Sequence, residues 1–313
     1  MLLSNQHYFN ISVQNEEVLE QEYMTLAKDR HLGKYVEQTK KVKELLCTIK
    51  TLEAREEDAS RFYNDLYAVI SNDYGSRSEL ACFLNACDCT LKTINNDIDT
   101  FKKVVSLYLA NRDLTDIVPR EWIQALIDKG ASRSKGQIGE KKLVRIAESE
   151  GFVHVETWED LLGTDKAVAR FKKNVFDISS IKDKLGINLD FHTQNKMLDI
   201  ILKSGKKYIF IEAKHLKEGG GSQDKQIKEL IEIISETNEN NDVYLGAFMD
   251  GMYSNVLLKG IDEELFAFPC KLLEEQKSDK LKKQRYDIVK GLHDNTHSFW
   301  LNTAGFKDFI KDF

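Results

Sequence analysis

Two strand-length apolar runs on either side of a tight turn constrain this chain more than any other feature. Residues 197–202 (Met-Leu-Asp-Ile-Ile-Leu) and 207–213 (Lys-Tyr-Ile-Phe-Ile-Glu-Ala) flank Ser204-Gly205. Each run is too short for a typical helix, and together they carry β-branched and aromatic residues, so they are expected to pair as a β-hairpin. A helix over 140–150 precedes it, with Leu143, Val144, Ile146 and Ala147 inward and Gly151 as its stop. Another follows over about 224–237, with Ile227, Leu230, Ile231 and Ile234 on one face. Buried strands are expected at 243–249 and, shorter, at 265–268, and the tail from Lys271 reads as helical. Strands interleaved with helices predict an α/β (α+β) core, a mixed sheet flanked by helices.

The first 130 residues have a different period. Val42, Leu45, Leu46, Ile49 and Leu52 form a helical stripe, as do Phe62, Leu66, Val69 and Ile70, and then Ile94, Ile98, Phe101 and Val105. Pro119 suits the start of a helix that runs to Lys129-Gly130. Nothing there alternates with period two, which predicts an all-α domain over 1–130 ahead of an α/β domain over 131–313. The 313 residues, 42% of them hydrophobic, suffice for two cores.

Charge excludes one class of partner outright. The chain has 45 Lys+Arg against 51 Asp+Glu, a net −6, which is wrong for a protein that coats nucleic acid by bulk charge. Most of the negative excess lies in residues 1–130, leaving the second part nearly neutral. No apolar stretch approaches the ~20 residues of a membrane span, and Met1-Leu2-Leu3 runs into polar residues, so no membrane association and no signal peptide are expected. Five cysteines (Cys47, Cys82, Cys87, Cys89, Cys270) are odd in number and scattered. They fit reduced thiols in a cytoplasm better than a disulfide framework.

Chemistry concentrates on the hairpin. Glu212 and Lys214 are two apart in a strand and share a face, while Ala213 between them points into the core. Asp199 on the neighbouring strand can reach that face. Two carboxylates brought together repel unless a cation neutralises them, and a hard, oxygen-ligated ion such as Mg²⁺ suits the pair. Lys214 beside it could polarise an attacking water or stabilise developing negative charge. The bland alternative is a solvated aspartate and a surface Glu–Lys pair, but Ile209, Phe210, Ile211 and Ala213 surround Glu212 with apolar neighbours.

This arrangement resembles the PD-(D/E)xK nuclease superfamily over roughly residues 130–270, with Asp199 and Glu212-x-Lys214 matching its motif. The proline often found before the aspartate is absent, since Met197-Leu198 stands there. The resemblance implies a restriction-endonuclease-like core and Mg²⁺ held by Asp199, Glu212 and the Ala213 carbonyl. It also implies a further acid on the preceding helix, and Glu140 stands there.

After the lysine, His215-Leu-Lys-Glu-Gly219-Gly220-Gly221-Ser222-Gln223-Asp-Lys225-Gln226 leaves backbone bare at three glycines. Gly220, Gly221, Ser222, Gln223, Lys225 and Gln226 are candidate DNA contacts at a helix N-terminus, against the alternative of a flexible loop capping that helix. The string from Glu212 to Gln226 resembles that of type II restriction endonucleases. That resemblance implies site-specific hydrolysis of double-stranded DNA, a homodimer that cuts both strands, and a cognate DNA methyltransferase in the same system. A PD-(D/E)xK nuclease of DNA repair or phage defence without strict specificity is the first alternative. A non-catalytic DNA-binding protein is the second.

Residues 79–98 support that last reading, because their apolar spacing resembles a helix-turn-helix. Leu80, Ala81 and Leu84 would face in from one helix, Leu91 and Ile94 from the other, with Lys92, Thr93, Asn95 and Asn96 offered to a groove. Asp88, Asp97 and Asp99 oppose phosphates there, and two packed bundle helices explain the pattern as well. His293 and His297, four apart, are a conceivable metal pair but fit an ordinary helix face better. The basic run 277–285 is a solvated helix face or, in a nuclease, a track for a phosphate backbone.

Overall fold

The computed structural model describes residues 2–19, 32–72, 78–87, 89–91, 94, 97–115, 117–130, 135–189, 198–236, 240–269 and 280–313. The chain divides into two units, residues 1–20 with 134–313, and residues 21–133.

The expected hairpin is present, as β3 (Ile200–Ser204) and β4 (Lys207–His215). They pair antiparallel from Ile200↔Ile211 to Ser204↔Lys207 across Gly205-Lys206. Gly205 takes φ +58 there, a left-handed conformation that costs glycine little. Around the hairpin the described strands form a six-stranded mixed sheet in chain order. β1 (Val153–His154) runs parallel to β2 (Lys166–Arg170), which is antiparallel to β3. β5 (Val243–Asp250) runs parallel to β4, and β6 (Ser298–Leu301) parallel to β5.

Both faces of the sheet are covered, which is why β3, β5 and β6 read as nearly continuous apolar runs. On one side α7 (Lys135–Ser149) and α14 (Thr303–Asp312) bury Leu143, Val144, Ala147, Phe306 and Phe309 against Ile200, Leu202, Ile209, Ile211 and Phe248. On the other, α10 (Ser222–Ser235) and α13 (Lys280–Asp294) bury Leu230, Ile234, Ile288 and Leu292 with Ala247, Met249 and Trp300. Short helices α8 (Trp158–Gly163), α9 (Ile178–Leu185), α11 (Met252–Leu258) and α12 (Glu263–Ala267) fill the remaining connections.

The expected boundary near 130 holds on its C-terminal side, but the first residues belong with the sheet. α1 (Asn5–Gln14) packs on β6 and α14. It sends Tyr8 into one core layer and Phe9 into the other, both fully buried.

In the remaining unit, α2 (Leu32–Ala54), α3 (Ser60–Ser71), α4 (Glu79–Ala86), α5 (Ile98–Asn111) and α6 (Arg120–Gly130) follow one another. Val42, Leu46, Leu66, Ile70, Leu84, Phe101 and Val105 share one core there, and Val36 packs with Ile123 and Ile127.

Two expectations need correction. Residues 265–268 are not a strand: α12 runs through Ala267 because the Asp262 carboxylate accepts the Leu265 N–H at 2.9 Å and caps it. The tail is not helical throughout, since β6 pairs with β5 between α13 and α14. α13 therefore ends at Asp294, so His293 and His297 do not share a helix, and the His297 ring packs edge-on to Tyr244. Of the second half of the helix-turn-helix pattern the structure describes Thr90, Leu91, Ile94, Asp97 and Ile98. Leu91 and Ile94 lie in turns and the next helix starts at Ile98, where Asp97 accepts the Thr100 N–H. Lys92, Thr93, Asn95 and Asn96 lie outside the described residues, as do residues 277–279 of the basic run. Among the described residues, no helix is long and apolar enough to cross a membrane.

Candidate active site

The C-terminal ends of parallel strands are where open α/β sheets gather ligands, and the predicted trio sits at such an end. Continuing the β3–β4 register past Ile200 would set Asp199 opposite Glu212. Instead the Asp199 N–H donates to the Ile211 carbonyl at 2.9 Å, and its carboxylate accepts the Ala213 N–H at 2.7 Å. The side chain thus stands in for backbone pairing where the ladder stops, which holds the carboxylate beside Glu212.

Glu212 is 3% exposed, deep for a carboxylate. Its Oε1 pairs with the Lys214 ammonium. Its Oε2 is buried with no hydrogen-bond partner among the described residues, a state that carries a desolvation cost. Lys214 also reaches Glu229 of α10 at 3.5 Å, so β4 and α10 are joined at the site. Ala213 points to the other face and packs against the core layer under α7.

Burial pushes the Asp199 carboxyl up to about 7, with the nearby Glu212 charge adding to it; the Ala213 N–H and Lys214 pull the other way, and Glu140 raises it further. For Lys214, burial alone would pull the ammonium down. Glu212, Asp199 and Glu229 outweigh that and hold it above the ordinary lysine value. Lys214 is therefore a fixed positive charge rather than a proton acceptor.

Glu140 lies on α7 and is ion-paired with Arg170 at the end of β2, whose Nε donates at 3.0 Å. The sequence places Glu140 near the pair, but not Arg170 or Glu229. Arg170 follows a three-residue apolar run, Ala167–Ala169, too short to stand out as a strand. Glu229 stands seven residues after Ser222 on α10, two turns further along the same helix face.

The glycine segment connects β4 to α10, which starts at Ser222, two residues before the expected Asp224. Gly220 and Gly221 take φ +101 and +55, so side chains there would be strained. Gln223 Oε1 is buried without a partner among the described residues, while Lys225 is exposed. Asp224 binds Lys280 and accepts the Gln284 Nε2 donor at 3.2 Å, which joins α10 to the basic start of α13.

The donor set suits a hard cation. An orphaned buried carboxylate oxygen beside a second, destabilised carboxyl is what such an ion relieves, and Mg²⁺ commonly uses one or two carboxylates and keeps its waters. Among the described residues, no three side chains from His, Cys, Asp and Glu form a metal cage. Asp199 and Glu212 would therefore share the ion with backbone oxygen and water.

Comparison with family models, with curated proteins and with solved structures finds no match to this chain.

Proposed function

We propose that this protein is a Mg²⁺-dependent endonuclease of the PD-(D/E)xK kind that hydrolyses double-stranded DNA at specific sites, as type II restriction enzymes do. One observation carries the reading: Asp199 and Glu212 meet at the end of the β3–β4 hairpin, Glu212 with an unsatisfied buried oxygen and Lys214 clamped beside it. The element order α7, hairpin, α10, β5 supports a restriction-endonuclease-like core.

Asp199, Glu212 and the Ala213 carbonyl would hold Mg²⁺. When bound, the ion supplies a more acidic water and neutralises charge building on the phosphate. Lys214, kept charged by three carboxylates, orients toward that charge and stabilises it. Glu140 adds negative potential at Asp199, favouring a cation there. The bare backbone at Gly220 and Gly221, with Ser222, Gln223, Lys225 and Gln226 at the start of α10, offers donors to a phosphate. Cutting both strands calls for two such sites, hence a homodimer, and a site-specific enzyme needs a cognate methyltransferase to protect host DNA.

Digestion of a plasmid and several linear DNAs with Mg²⁺ tests this. Discrete fragments support restriction, a smear supports an unspecific nuclease, and no Mg²⁺-dependent cleavage on any DNA defeats the enzyme reading. Cleavage that survives Asp199→Ala or Lys214→Ala defeats the mechanism. Sedimentation of the protein with and without DNA tests the dimer.

A further inference from the structure

Behind the candidate site lies a second set of charges that the proposed reaction does not use. Lys142 of α7 is 5% exposed, and its ammonium lies 3.2 Å from Asp250 Oδ2 and 3.8 Å from Glu17 Oε2, and donates to Thr303 Oγ1 at 2.5 Å. Asp250 closes the end of β5 and also meets His215 Nδ1 at 3.2 Å. His215 is its register partner, one residue past Lys214.

Glu17 comes from the segment after α1 and is held on all sides. Its other carboxylate oxygen accepts the Thr303 N–H at 2.6 Å, and its backbone exchanges hydrogen bonds with the Asn255 side chain. Neither Glu17 nor Lys142 serves solubility at such depth, and breaking a buried ion pair leaves an uncompensated charge behind.

What these partners grip is α7, through Lys142. Glu140 and Lys142 are two residues apart, which places them about 200° apart around a helix. Arg170 holds the first from the β2 side, and Asp250 with Glu17 holds the second from the β5 side. α7 lies across β4 between these grips.

We infer that Glu17, Lys142 and Asp250 are positioning residues that, with Arg170 at the register position of Ile200, set Glu140 toward Asp199, so that the first twenty residues support the site. The inference rests on the metal-binding reading of the Asp199–Glu212 pair. It also explains a feature of chain order: the helical unit leaves after Glu20 and returns at Ser134, bracketed by Glu17 and Lys142.

The test is a double-mutant cycle on the full chain, Glu17→Gln against Glu140→Gln. Gln at 17 keeps an oxygen for the Thr303 N–H, and Asp250→Asn serves as an independent second probe of the grip. Mn²⁺ binding is measured by calorimetry, and urea unfolding on the same samples. Each single variant is expected to weaken Mn²⁺ about tenfold, the scale of outer-shell partners, and the double variant no further, because both act through the carboxylate at 140. Losses that multiply overturn the inference. So does unchanged Mn²⁺ affinity in folded Glu17→Gln and Asp250→Asn with only a lower unfolding midpoint, the result of a merely structural cluster. If the parent protein binds Mn²⁺ but cuts no DNA, the nuclease reading fails and the binding cycle still decides. If it binds no Mn²⁺, the metal reading fails and the unfolding cycle decides, with coupling between 17 and 140 supporting the positioning role and additivity overturning it.

Discussion

The Asp199 carboxylate takes the backbone N–H of Ala213, the residue between Glu212 and Lys214, at 2.7 Å. One acid of the site is thereby fixed by the backbone that presents the other acid and the lysine. The hydrogen bond steadies the ionised form of Asp199, yet burial and Glu212 outweigh it.

Stability without metal should therefore fall as pH rises. The folded Asp199 carboxyl titrates near 7, above its ordinary value of 3.8, so the folded protein holds that proton more tightly than the unfolded chain. The associated stability is fully present below the ordinary value and is lost as pH rises through about 7. Thermal unfolding in a chelator should show a declining Tm over roughly pH 4–7, and Mg²⁺ should restore it. Asp199→Asn keeps an acceptor for the Ala213 N–H and should flatten the decline. At pH 8 without metal it should be more stable than the parent by on the order of 2–4 kcal/mol. A Tm that rises with pH in the parent would contradict the assignment.

Lys214→Met is expected to lower kcat by about 10²–10³-fold, the usual loss for one electrostatic stabiliser, with DNA KM little changed. Single-turnover cleavage separates this from a binding defect. A large rise in KM with kcat intact would make Lys214 a phosphate contact instead.

Gly219 lies hard against the ring end of Tyr253. A Cβ at 219 would run into the Tyr253 hydroxyl and ring, with Cε2 at 2.8 Å. Gly219→Ala should cost about 1–3 kcal/mol as overpacking and should cost almost nothing in a Tyr253→Ala background. Urea unfolding of the four proteins gives the coupling, and additive losses would mean that the two do not meet.

Phe9→Ala should destabilise the sheet unit by about 3–5 kcal/mol, because Phe9 is fully buried beside Phe266 and Trp300. Hydrogen exchange in β5 and β6 reports it. Unchanged protection there would return residues 1–20 to the helical unit.

Local pattern determined much of this protein. The hairpin, α7 with its apolar face, α10, β5 and the helical stripes of residues 32–130 follow from period and turn chemistry, which act between near neighbours in sequence. The pairing of Asp199 with Glu212 and Lys214 was legible for the same reason, since a two-residue turn brings them together. Tertiary structure decided the rest. β2 and β6 are strands because neighbouring strands accept their hydrogen bonds, not because Ala167–Ala169 or Phe299–Leu301 demand it. Residues 265–268 carry an apolar run, but the Asp262 cap made 265–267 helical. Glu17 reads as one acid among many until the fold buries it against Lys142, more than a hundred residues away, and no local period records a partner at that distance. Arg170 and Glu229 were hidden likewise: each ion pair joins elements that meet only once the sheet and its helices have packed.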